Sequence, residues 1–287
     1  MLVPDVTLII YAIVCIILLS FVVFKVFIAP QLRRKRVLKT AFPQSWHQIL
    51  NKNFAIYNLL PHSLKIRLQK LIQLFLLEKK FYGCQGLTLT EEIRVTIAAQ
   101  ACLLILNQPR AWYSKLQSIL VYPGAFTVPN AQYSNEGIIS NAPSHRLGES
   151  WHNGRIILSW DDVINDSRCP QRGQNVTFHE FAHQLDAEDG YTDGIPILGP
   201  KHSFQHWSRL MAEELARLRH EVIVGIPHVI NQYGATNPAE FFAVATETFF
   251  THPHQLATHN PALFQVLQSY YQLDPRSWTK NHLPNEN

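Results

Sequence analysis

Val6 to Phe24 is a run of 19 residues without a charged side chain, and Val26-Phe-Ile-Ala29 prolongs it beyond Lys25. As a helix this run is long enough to cross the hydrocarbon of a bilayer. It is read as one transmembrane helix. A cleavable leader would carry positive charge ahead of the run and small residues behind it, whereas here Asp5 precedes it and Arg33-Arg-Lys-Arg36 follows. Cations behind the span put the bulk of the chain in the cytoplasm, on a single-pass anchor in an inner or plasma membrane.

That cluster also explains the net positive charge. Six of the 25 Lys/Arg and one of the 21 Asp/Glu fall within residues 1–39, so the remainder carries 19 basic and 20 acidic residues. No direct nucleic-acid binding is expected of it. Cys15, Cys84, Cys102 and Cys169 are widely spaced and form no C-x-x-C pair, which fits neither a disulfide framework nor a cysteine metal site.

Beyond residue 40, Ser45 to Leu50 and His62 to Leu77 carry apolar residues at three- and four-residue spacing, the mark of amphipathic helices. Thr88-x-x-Glu91 offers a capping box for a third helix, about Glu91 to Leu106, whose Ala-rich interior reads as fully buried. Ser118 to Tyr122 and Arg155 to Trp160 read as strands, and a small antiparallel sheet is expected. The second strand is a candidate for offering its backbone edge to an extended peptide. Ser203 to Val224 is a long amphipathic helix with Trp207, Leu210, Leu215 and Leu218 inward. Asn237-Pro238 and Asn260-Pro261 each open a further helix. The fold class is α+β and mostly helical.

The chemistry concentrates in Val176-Thr-Phe-His179-Glu180-Phe-Ala-His183-Gln-Leu-Asp186. On a helix His179 and His183 lie one turn apart on one face, so both imidazoles reach one ion, with Glu180 beside them; this is the H-E-x-x-H arrangement of zinc hydrolases. Such a zinc takes a third protein ligand. Asp189 stands where the extended H-E-x-x-H-x-x-G-x-x-H pattern has its third ligand, but Asp186 occupies the position that needs glycine. Glu240, on a helix otherwise made of core residues, is the alternative and is favoured, because Asp189-Gly190 reads as a surface turn. Glu247 lies on the same face as Glu240; it and Asp186 are candidates for orienting a ligand imidazole, although Asp186 could equally just close its helix. His202 and His206 share helical spacing but lack a carboxylate at catalytic distance.

The runs Gln85-Gly-Leu-Thr-Leu-Thr-Glu-Glu-Ile-Arg94, Ala98-Ala-Gln-Ala-Cys102, Val121-Tyr-Pro123, Gly148-Glu-Ser-Trp151, Leu158-Ser-Trp160, His179-Glu-Phe-Ala-His-Gln-Leu-Asp186 and Ala239-Glu-Phe-Phe-Ala-Val244 resemble the MtfA (Mlc titration factor A) family of zinc peptidases, in order over about residues 40–277. The resemblance implies a zincin-type metallopeptidase with His179, His183 and Glu240 as zinc ligands. Glu180 is implied as the catalytic glutamate that activates the hydrolytic water, and Tyr233 as the tyrosine that assists at the substrate carbonyl. It also implies aminopeptidase-like cleavage of a peptide substrate. The alternative it carries is a tethered protein that sequesters a transcriptional regulator, since the family is named for sequestering a glucose-responsive repressor. Known bacterial members are soluble, so the apolar N-terminus departs from the pattern. The expected organisation is an anchor over residues 1–30, a basic juxtamembrane segment over 31–39, the peptidase domain over 40–277 and a polar tail over 278–287. The tail or the 124–150 loop could cover the cleft.

Overall fold

The computed structural model describes residues 6–108, 112–124, 154–199 and 203–278, in two units, Met1–Phe42 and Pro43–Asn287. The 124–150 loop beyond Gly124, the Gly148-Glu-Ser-Trp151 run, His202 and the tail beyond Trp278 lie outside the described residues.

In the first unit, helix α1 (Val6–Val23) continues through a π-helical turn (Phe24–Ile28) into helix α2 (Ala29–Lys39). The turn has a local cause. Pro30 has no N–H to continue the ladder, and just ahead of it Ala29 N bonds back five residues to Phe24 O. Ile16, Ile17, Leu19 and Phe27 are each between 61% and 65% exposed, and Ile13–Lys39 is long and apolar enough to cross a membrane.

The second unit begins with α3 (Gln44–Asn53), α4 (Ala55–Leu59) and α5 (His62–Glu78), which lead into strand β1 (Lys80–Gly83) and helix α6 (Glu91–Leu104). Thr90, not Thr88, caps α6, its hydroxyl accepting Ile93 N at 3.3 Å. From Val95 to Leu104 every residue of α6 is buried, and α3, α5 and a later helix all pack on it. The Ala-rich interior is the centre of the unit.

The sheet is parallel, which corrects the antiparallel expectation. Its order is β1, β2 (Ser118–Tyr122), β3 (Arg155–Ser159), with Lys80 opposite Ser118 and Ser118 opposite Arg155. The connections decide the direction. Helix α6 lies between β1 and β2, and 32 residues separate β2 from β3, against the about two to five of a hairpin. Parallel neighbours need a connection of about a dozen residues or more, and both connections are long enough. Strand β3 runs straight into α7 (Trp160–Arg168), which Ser159 caps.

Helix α8 (Val176–Asp186) then crosses the core, followed by α9 (Phe204–Val224), α10 (Pro238–Thr251), α11 (Pro253–His259) and α12 (Pro261–Tyr271). Helices α8 and α10 pack directly on each other and α8 also packs on α6. Phe178 of α8 lies 5.4 Å from Phe250 of α10, and Phe181 of α8 lies 4.9 Å from Tyr113, whose hydroxyl donates to Ala101 O of α6 at 2.8 Å. On α9 the four expected inward residues, Trp207, Leu210, Leu215 and Leu218, are all buried. Phe264, Leu267 and Tyr271 form the buried face of α12.

Candidate metal centre

Helix α8 starts at an unusually complete cap. The Asn175 side-chain oxygen accepts Phe178 N at 2.8 Å, Asp166 Oδ2 accepts Val176 N at 3.0 Å, and Glu247 Oε2 accepts Asn175 N at 2.6 Å. Donors at a helix start have no partner within the helix, and the positive end of the helix favours the two carboxylates. The cap fixes the register of the next turn, which carries His179.

His179 and His183 present their Nε2 atoms to each other at 3.1 Å. Helix α10 brings the third group. Asn237 caps it by accepting Glu240 N at 2.9 Å, Pro238 occupies its first turn, and the Glu240 carboxylate reaches across to α8. Glu240 Oε2 lies 3.0 Å from His179 Nε2 and 3.4 Å from His183 Nε2. One ligand atom from each of the three residues falls within 4.8 Å of the others. Two donors each bound to zinc at ordinary length and at a tetrahedral angle stand about 3.3 Å apart, so the spacing fits that ion.

Charge points the same way. Glu240 and Glu247, 5% and 7% exposed, lie against the two imidazoles, Glu180 on the same helix as the histidines is 2% exposed, and buried carboxylates call for a positive partner. Burial works to neutralise each group. Against it, hydrogen bonds from the two histidines hold the Glu240 carboxyl down at about 2. Burial lowers His179 too, but Glu240 and Glu247 outweigh it and push the imidazole up to about 10. His183, buried beside a charged His179, is drawn down to about 4 despite Glu240.

The remaining expected residues divide clearly. Tyr233 sits on a 3-10 turn (Gln232–Ala235) with its ring centroid 5.9 Å from that of His179. That turn is held by Asn231, whose side chain accepts Tyr233 N at 2.9 Å, and by Arg219, which donates to Ala235 O at 2.8 Å. Asp189 is exposed and its Oδ1 accepts Tyr191 N at 2.9 Å, which makes it a turn residue outside the cluster. Asp186 is fully buried but its Oδ2 accepts Gly194 N at 3.0 Å, so this oxygen fastens the following loop; burial pushes its carboxyl up to about 7. His206 is exposed, and its partner His202 lies outside the described residues.

Two contributors were not anticipated. Gln100 of α6 accepts the Asn175 amide at 2.8 Å, and Gly194 stands at a junction where Asp186, the Trp207 indole N–H and Pro238 meet. A Cβ on Gly194 would strike the Pro238 carbonyl, so α10, the loop and α8 close up only around glycine. A lone amide inside the Ala-rich run was the readable signal for Gln100.

Comparison with known proteins gives the chain a family. The profile of the glucose-regulated metallo-peptidase M90 family matches residues 29–272. An uncharacterized protein of Synechocystis sp. is 42% identical over 244 residues, covering 85% of this chain and 89% of the relative. Mlc titration factor A of Klebsiella pneumoniae is 34% identical over 212 residues, 73% of this chain and 79% of the relative. Mlc titration factor A of Yersinia pestis is 30% identical over 233 residues, 80% and 84% of the two chains. The matched span contains His179, Glu180, His183, Tyr233 and Glu240, and the chain belongs to the glucose-regulated metallo-peptidase M90 family, the family of Mlc titration factor A.

Proposed function

We propose that this protein is a zinc-dependent peptidase of aminopeptidase-like action, anchored by residues 1–30 in an inner or plasma membrane with residues 40–277 as its cytoplasmic catalytic domain. The observation that carries the reading is the convergence of His179 Nε2, His183 Nε2 and the Glu240 carboxylate, with Glu180 next to them on the same helix. His179, His183 and Glu240 would hold the zinc. Bound there, zinc supplies a Lewis acid that polarises a carbonyl and brings the pKa of a water toward neutrality.

The chain's own groups do the rest. Glu180 takes the proton of the attacking water and passes it to the departing amine. Tyr233 donates a hydrogen bond to the carbonyl oxygen as negative charge builds on it. Strand β3, paired on one side with β2 and last in the order among the described strands, offers an edge along which an extended peptide can add as a further strand.

The relatives' name favours a second reading. A membrane-tethered member of a family that includes Mlc titration factor A can also hold a transcriptional regulator away from its site without cutting it. The test is hydrolysis of a panel of amino-acid and peptide chromogenic substrates by the full-length chain beside Glu180→Gln. Cleavage lost in Glu180→Gln at unchanged zinc content supports the peptidase. A zinc-loaded wild type that cleaves nothing, yet retains a regulator in a pull-down, supports sequestration.

A further inference from the structure

Glu247 is a buried carboxylate with both oxygens committed. Its Oε1 lies 2.8 Å from His179 Nδ1, and its Oε2 accepts the backbone N–H of Asn175 at 2.6 Å. It sits on α10 two turns beyond Glu240, so one helix delivers to α8 both a direct neighbour of the His179 Nε2 and the partner of the same ring's other nitrogen. Asn175 is itself tied to α6 through Gln100, at 2.8 Å. A neutral imidazole can ligate through Nε2 only if its proton resides on Nδ1 and the ring is held at the right rotation.

We propose that Glu247 is the positioning residue of the metal centre: it keeps the proton of His179 on Nδ1, turns Nε2 toward the cation, and locks that ring to the first turn of its own helix. The proposal rests on the reading of the cluster as a zinc centre. A glutamine at 247 cannot reproduce the arrangement. Both neighbours are donors, and an amide has an acceptor for only one of them.

The test uses the full-length chain in detergent with zinc alone as probe. Zinc affinity is read by competition with a chromogenic chelator, the melting temperature is taken on metal-free protein, and cobalt(II) absorption reports ligand geometry. Glu247→Gln is expected to weaken zinc binding by about 10- to 100-fold and to alter the cobalt spectrum. Glu247→Asp, which keeps the charge but withdraws it by one methylene, should lie between. Leu50→Ala, in the buried face of α3 and away from the cluster, is the stability control; it should lower the melting temperature and leave zinc affinity unchanged. If Glu247→Gln leaves both zinc affinity and the cobalt spectrum as in wild type, whether or not it lowers stability as Leu50→Ala does, Glu247 does not position the metal centre and the proposal is overturned. A wild type that binds no zinc overturns the metal reading and the proposal together. A wild type that binds zinc with the expected ranking of variants, yet cleaves nothing, removes the peptidase reading and leaves Glu247 in place.

Discussion

Two apolar stretches of this chain solve opposite problems. Along α1 and the π-helical turn the described aliphatic side chains are exposed, while α10 buries twelve consecutive residues from Ala239 to Phe250. The first stretch contains Lys25 as its only charge, and the second contains two glutamates. An exposed helix of this length that is apolar all round meets the length and composition for crossing a membrane. A helix that is buried all round and still carries carboxylates needs a partner for each of them, and here the partners are His179, His183 and the cap of α8.

Removing residues 1–39 attacks the contrast hardest. The membrane-bound fraction of the protein on flotation is expected to fall from nearly all to nearly none; a truncated protein that still floats would show that the second unit binds membranes by itself. A paired substitution sharpens the contrast. Phe250→Ala empties space against Phe178, Phe249 and Tyr271 and should cost about 3–5 kcal/mol in chemical denaturation, whereas Phe27→Ala, on an exposed side chain, should leave the second unit's unfolding unchanged. Next in size is Tyr233→Phe. Loss of one donor to a developing oxyanion is expected to slow turnover by about a hundredfold, roughly 3 kcal/mol, with zinc content intact.

The smallest effect tests the polar surroundings of the buried layer. Burial raises the Asp166 carboxyl to about 6 even though Val176 N donates to it. A carboxyl whose folded value exceeds its ordinary value stabilises the fold while protonated, and that contribution fades as pH rises from about 4 through 6. Asp166→Asn keeps an acceptor without the charge. Because the group is partly open to solvent, the variant should gain only about 1 kcal/mol over wild type at pH 7 and nothing at pH 4. Denaturation curves at the two pH values decide it.

Periodicity and caps made the helices readable. Asn237-Pro238 and Asn260-Pro261 mark real helix starts, and the H-E-x-x-H run lies on a helix of the expected kind. Strand direction was not readable from the strands themselves, because Ser118–Tyr122 carries no mark of what it pairs with; the 32-residue separation from β3 was the better guide. In the metal cluster, spacing places His179 and His183 on one face, but bringing Glu240 to them depends on how α8 and α10 cross, which no local pattern encodes. The same holds for Asp186. Its sequence position is close to the histidines, yet the backbone of Gly194 claims one of its oxygens.

The identity of the third ligand separates a centre built on α8 and α10 from one built on α8 and the turn that follows it. Zinc content is to be measured on the purified full-length protein after dialysis, wild type beside Glu240→Ala and Asp189→Ala. The expected result is about one zinc per chain in wild type and in Asp189→Ala, and none in Glu240→Ala. Full zinc in Glu240→Ala with loss in Asp189→Ala would contradict the site built on α8 and α10.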